Sequence, residues 1–470
     1  MHWVRLSGAS YSRIASEIAT VAAGRGRRDI QPDSSRVSRW INQGEQPRSP
    51  VPDFLALALT RLCHLPRTLT AADLGFSVSG PHREGDGWSA RAVVAAILDT
   101  TRSDAVTDDR TPSLARLLSG ADLVAAVQPW LHLPDNEPLP APTTPGTRLG
   151  MSDVERIQAT TTAFRHLDNE HGGALSRLAV VGQLQHVTHL ARTRTYTDDT
   201  GRALFAAVAE LASVAGWMTH DAGVHHDAQR YLLLGLQAAK QAGRHGAGIG
   251  GHLLNCLARQ ANHLGHAHDA LELVQAAQYG TRKLPPGRLR ALLCSLEARC
   301  HAVLGNIDEM QRATAAAEAA LTSDTGEPAP SWAAWFDPAE FHVTAGVCEF
   351  IAAERVPTRA ERAIDLITTG TVGRPAERVR SRAFDQIALA RAHVRAGDPE
   401  AADAATSQAL TLMGAVNSTR GSDRLLELDA ELAGAPHTSP PRAGHGSALP
   451  CTVLTRAFNP GMASARRASR

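Results

Sequence analysis

The chain has 470 residues, a formal net charge of +1 and a composition that is 43 % hydrophobic but only 4 % aromatic. That length allows more than one domain and a sizeable core, and the near-neutral balance excludes a protein that is basic throughout. Few strand-forming residues among many alanines and leucines predict an all-α chain of close-packed helices.

"MHWVRLSGAS" opens the chain without a long apolar run, so no signal peptide is expected. Residues 1–76 then hold several short helical segments. "SYSRIASEIATVAA" places Ile14, Ile18 and Val21 on one face, with Ser10 as N-cap. A glycine- and arginine-rich segment ends at Pro32. The next helix, "RVSRWINQGEQPR", has Asp33 or Ser34 as N-cap, Gly44 near its end and Pro47 as its stop. Its Val37, Trp40 and Ile41 form the apolar face, and Arg36, Ser38, Arg39 and Asn42 the polar one. "PVPDFLALALTRLCHL" turns Leu55, Leu59 and Leu62 inward, and "LTAADLGF" is a last turn. From Gly24 to Arg48 six arginines, Arg27 and Arg28 among them, stand against Asp29, Asp33 and Glu45. This local basic patch suits contact with phosphate, or is simply a solvated arginine face.

Residues 77–150 are expected to be a linker with short helices, bounded by "SVSGPHREGDG" and the Pro-rich "PDNEPLPAPTTPGTR". The helices within 88–133 could pack on either neighbour. Residues 151–435 repeat. Gly216, Gly223, Ala228 and Gly235 recur as Ala258, Gly265, Ala270 and Ala277, as Ala298, Gly305, Met310 and Ala317, and as Ala390, Gly397, Ala402 and Ala409. Small residues in this spacing, with a glycine breaking two helices, are the tetratricopeptide pattern. The gap between Gly305 and Gly397 leaves room for a degenerate unit near "RVPTRAERAIDLITTG". Residues 436–470 hold too few apolar side chains to offset ordering entropy and are expected to be a disordered tail.

The order "YSRIASEI … SSRVSRWINQGEQP … FLALALTRL" resembles the Cro/repressor-type helix-turn-helix family, in which the "V-S-x-W" run opens the recognition helix. That resemblance implies that Ser34, Ser35, Arg36 and Ser38 face the DNA groove and that Arg39, Asn42 and Gln43 reach bases or phosphates. Two features depart from the family pattern: residues 24–32 are longer than the usual tight turn, and Gly44 lies one position late. The whole chain resembles actinobacterial regulators that join such a domain to a C-terminal tetratricopeptide-like domain and are linked to sporulation and secondary metabolism. "LDNEHGGALSRLAVV", "AGWMTHDAGVHHDAQRYLLLGLQAA" and "PSWAAWFDPAEF" carry that likeness beyond the N-terminus.

Other constellations point away from chemistry. His220, His225 and His226, and His263, His266 and His268, cluster at spacings that can bind zinc, but no cysteine or carboxylate completes a ligand set. Cys63, Cys256, Cys294, Cys300, Cys348 and Cys451 form no CxxC pair, which suits a reduced cytoplasmic compartment. "HGG" at 171–173 reads as a helix break rather than a phosphate loop. Trp332, Trp335, Phe336 and Phe341 form either a core plug or an anchor on a concave ligand face. The expectation is therefore a cytoplasmic DNA-binding transcriptional regulator, not an enzyme, with no cofactor, no metal and no membrane span. It is expected to bind double-stranded DNA as a homodimer, its repeat domain taking a peptide or protein effector. The alternative is a tetratricopeptide interaction scaffold without sequence-specific DNA binding.

Overall fold

The computed structural model describes residues 2–24, 27, 29–42, 47, 51–63, 65, 69, 74, 86–106, 117–132, 139, 148–171, 176–323, 329–414 and 419–434. Among them the regular structure is helical, with one isolated β-bridge between Arg148 and Thr195. The chain divides into two units, Met1–Gly87 and Trp88–Arg470.

The first unit contains α1 (His2–Ser7), α2 (Tyr11–Gly24), α3 (Ser34–Asn42) and α4 (Val51–Leu62). Ser10 starts α2, its Oγ accepting from the Arg13 N–H at 3.3 Å. Ile14, Ile18 and Val21 of α2 meet Val37 and Trp40 of α3 and Leu55 and Leu59 of α4 in one core. Leu69 joins that core, its N–H donating to Thr60 Oγ1 at 2.7 Å.

The second unit begins with α5 (Ala90–Val106), α6 (Ala121–His132), α7 (Met151–His171) and α8 (Arg177–Thr193). It continues as helix pairs: α9 (Asp198–Asp221) with α10 (His225–Gln241), α11 (Ala247–His263) with α12 (Ala267–Thr281), and α13 (Arg288–Leu304) with α14 (Ile307–Thr322). Then come α15 (Pro338–Ala352) with α16 (Arg359–Gly373), α17 (Val379–Ala396) with α18 (Pro399–Met413), and a last helix, α19 (Thr419–Gly434). Successive pairs pack on one another, and α17 reaches back to α7.

The repeat spacing has a direct structural cause. Gly223, Gly265, Gly305 and Gly397 all have φ between 78° and 86°. At each, the residue after the glycine donates its N–H to the carbonyl five residues back: Val224 to Thr219, His266 to Ala261, Asn306 to His301 and Asp398 to His393. This is the left-handed glycine stop that turns one helix against the next. The small residues mark where the helices touch; a Cβ on Gly216 would lie 2.8 Å from Leu232. The degenerate unit is the α15–α16 pair. Its contact glycines, Gly346 against Ala363 and Gly370 against Ala339 and Val343, are retained. The turn is lengthened through Pro357 and has no left-handed glycine, which is why the offsets fail there.

One expectation changes. The helices placed in a linker, α5 and α6, belong to the core of the second unit: α5 packs on α8 and α10, and α6 on α10 and α12. Trp130 of α6 lies where a Cβ on Gly250 or Gly280 would come within 2.5 or 2.1 Å. The Gln229 side chain also brackets Leu118, accepting from its N–H at 2.8 Å and donating to its carbonyl at 2.9 Å. Residues 172–173 of the "HGG" stretch and the expected tail lie outside the described residues. One described helix, α9, is long and apolar enough to cross a membrane, and its apolar stretch is 94 % buried within the protein.

Candidate functional site

The first candidate is α3. Asp33 is its N-cap: Oδ1 accepts from the Arg36 N–H at 2.8 Å and the Asp33 carbonyl from the Val37 N–H at 3.2 Å. This choice orients the helix. Val37 is 0 % and Trp40 9 % exposed, and Ile41 packs at the margin of the same core. Helical geometry then places the intervening residues on the other face. Ser34, Ser35, Arg36 and Arg39 are exposed, and Ser38 is half-buried. Asn42 ends the helix, while its side chain, together with Arg28 and Gln43, lies outside the described residues.

Arg27 departs from the expected patch of bare positive charge. Its guanidinium makes a two-pronged ion pair with Asp29, at 2.8 and 2.7 Å, and holds that carboxyl down at about 2. The exposed positive charge on α3 itself therefore comes from Arg36 and Arg39. Sequence reasoning missed Ile30, which is buried in the core and pins the long connection between α2 and α3. The signal was one branched aliphatic residue in an otherwise polar run.

The second candidate is the interior of the repeat unit. The two histidine clusters of the sequence are not the groups that meet. His220, His225 and His263 come together instead, with ring centres 5.1 to 5.8 Å apart and the Nδ1 atoms of His220 and His225 3.1 Å apart. Burial first, then nearby Arg420, pushes His220 down to about 2; burial, then Arg424, takes His263 to about 4. Neutral imidazoles packed among arginines are poor acceptors of further positive charge. Among the described residues no group of three or more His, Cys, Asp or Glu side chains is placed to hold a metal ion.

Around this trio lies a ring of cations and aromatics. The Arg259 guanidinium is 5.2 Å from the ring centres of both Trp217 and Trp335, and Arg420 is 4.9 Å from those of Trp217 and Phe384. Trp332, Phe336 and Phe341 are buried, so the aromatic stretch 330–341 divides: three rings fill the core and Trp335 meets Arg259. Asp221 stands 3.3 Å from Arg420 and 3.4 Å from Arg380, which also pairs with Asp168 at 3.0 Å. These pairs tie α7, α9, α17 and α19 together. Arg259, Arg299 and Arg420 escaped sequence reading because no motif marks them; the signal for Arg259 and Arg299 is a polar stripe within α11 and α13, helices otherwise rich in Ala and Leu, and Arg420 of α19 has none.

Comparison with known proteins is informative for the first unit alone. Residues 1–77 are similar to a family described as the SP15 N-terminal domain. No curated protein matches the chain, and no solved structure does.

Proposed function

We propose that this chain is a DNA-binding transcriptional regulator in which α3 enters the major groove and the repeat unit receives an effector. One observation carries the reading. A capped helix anchored by Val37 and Trp40 turns Ser34, Ser35, Arg36 and Arg39 outward from its N-terminal end. Hydroxyls and guanidinium groups on such a surface suit phosphate and base-edge contact, and a helix N-terminus favours anions. The regulatory context of sporulation and secondary metabolism, and a homodimer on paired half-sites, follow from the family resemblance and belong to the same proposal.

The test uses the full-length chain and pools of genomic duplex DNA, with fluorescence anisotropy across a salt series. Binding is expected to weaken by roughly 0.9 log units per decade of salt for each phosphate contact. Arg36→Ala with Arg39→Ala should weaken it at least tenfold and flatten the salt slope by about two contacts. Affinity and slope unchanged in the double variant would remove α3 as the reading helix. The pairing of Arg27 with Asp29 favours a second reading, an interaction scaffold without sequence-specific DNA binding. It predicts no selective recovery of any genomic fragment.

A further inference from the structure

Counting back from the left-handed glycines shows a regularity on the first helices of three successive pairs. Six residues before Gly223, Gly265 and Gly305 stand Trp217, Arg259 and Arg299; ten residues before stand Ser213, Asn255 and Ser295. Equivalent positions of stacked repeats line one surface, so this is a ladder of small polar groups, each a turn before an indole or a guanidinium.

The ladder is incomplete as it stands. Arg380 and Arg420 have Asp168 and Asp221. Arg259 and Arg299 have no carboxylate partner among the described residues, and Arg424 and Arg259 add like charge to the surroundings of Arg299. Asn255 is 1 % exposed, yet neither its amide nitrogen nor its oxygen has a hydrogen-bond partner beyond the adjoining Cys256 thiol. The buried Ser295 hydroxyl is unpartnered too, as is His252 Nδ1 one turn before Cys256. Arg259 and Arg299 are themselves half-buried. Buried polar groups are normally satisfied, and a cation partly withdrawn from water without a counter-charge is a cost to the fold that holds it. Such groups gathered at equivalent positions call for an anion.

We propose that Arg259 and Arg299, with the Asn255 amide and the Ser295 hydroxyl, form a binding site for an oxyanion, the carboxylate or phosphate group of a small acidic effector. A planar guanidinium donates two parallel N–H bonds to either group. The Asn255 nitrogen and the Ser295 oxygen supply further donors. Trp217 and Trp335, each with its ring centre 5.2 Å from the Arg259 guanidinium, shield those bonds from water. The inference gives a chemical class to the effector in the function proposed above and rests on that part of it, not on DNA recognition.

Thermal unfolding and calorimetric titration of the full-length protein test it, using inorganic phosphate and citrate at about 10 mM against sodium chloride of equal ionic strength. A millimolar or tighter site raises Tm by about 2 °C or more over chloride. A rise with citrate alone assigns a carboxylate ligand, and with phosphate alone a phosphate ligand. Arg299→Met keeps the aliphatic stem and removes the unpaired charge; it is expected to raise the anion-free Tm and abolish the anion-dependent rise. Asn255→Asp, which supplies an internal counter-charge, should do the same and weaken anion binding at least tenfold. No rise with either anion overturns the proposal. So does a lower anion-free Tm in both variants, or an anion response unchanged in them. DNA anisotropy on the same samples separates the two readings, since Arg299→Met is expected to leave DNA affinity unchanged.

Discussion

Arg39 and Trp40 are adjacent in sequence and opposite in fate. A rotation of about 100° per residue sends the indole into the core and the guanidinium to solvent. Trp40→Ala should cost about 3–5 kcal/mol, the usual range for deleting a buried aromatic. The readout is proteolysis: cleavage within residues 1–77 should accelerate sharply while the repeat unit's thermal transition stays put. Asp33→Ala removes the Asp33 side-chain cap on α3 and should cost about 1 kcal/mol. If α3 does the reading, DNA affinity should fall by up to the same amount, because fraying starts at the end that carries Ser34, Ser35 and Arg36. At this scale the sequence was highly legible. Helical periodicity names the buried face of a short helix without any knowledge of what covers it, as it did for Val37, Trp40 and Ile41. Ile30 was not legible, because a single residue has no period.

Glycines decide the packing of elements, and they fall into two kinds. Gly280 of α12 faces Trp130, with a hypothetical Cβ 2.1 Å from the indole. Gly280→Ala should therefore destabilise by about 1–3 kcal/mol through overpacking. Gly182 of α8 is exposed, with nothing within 4 Å of its Cβ position. Gly182→Ala should stabilise by about 1 kcal/mol, the helix-propensity difference. Calorimetric Tm values for the pair, falling in one and rising in the other, check both; equal shifts would show that backbone entropy alone governs these sites. The repeat was legible from its loop glycines because a left-handed turn tolerates little else. The α15–α16 pair was legible only as a gap of the right length, since its turn uses a longer path through Pro357.

At the scale of the whole repeat unit, several ionisable groups lie inside the fold, Asp168, His220, Asp221, Arg380 and Asp385 among them. His220 is fully buried and stays neutral, its pKa held at about 2 by burial, Arg420 and the facing imidazoles. In the unfolded chain it titrates near 6.5. A folded pKa below the unfolded one means that this stability is complete above about pH 6.5. It is lost as pH falls, at about 1.4 kcal/mol per pH unit for one proton. His263, held at about 4, adds to the loss between roughly pH 6 and 4. Unfolding by denaturant at pH 7.5, 6 and 5 should show a steepening decline. His220→Gln should flatten that decline whatever it does to stability at neutral pH. An identical slope in the variant would show that His220 is charged in the fold.

Sequence by itself determined the helical class, the core face of α3 and the glycine-stopped helix pairs, because each is a local pattern with a local cause: periodicity, a cap, a left-handed turn. Tertiary structure alone decided that α5 and α6 complete the repeat core. It also decided that His220, His225 and His263 meet, and that Arg259 and Arg299 lie together without a counter-charge. Those outcomes depend on which helices stack on which across tens of residues. Burial, which turns an ordinary asparagine or serine into an unsatisfied one, is a property of that stacking and of nothing in the local sequence. "RVSRWINQGEQPR" shows both limits: the chain names the residues α3 hides, and the fold shows which of its charges remain outside.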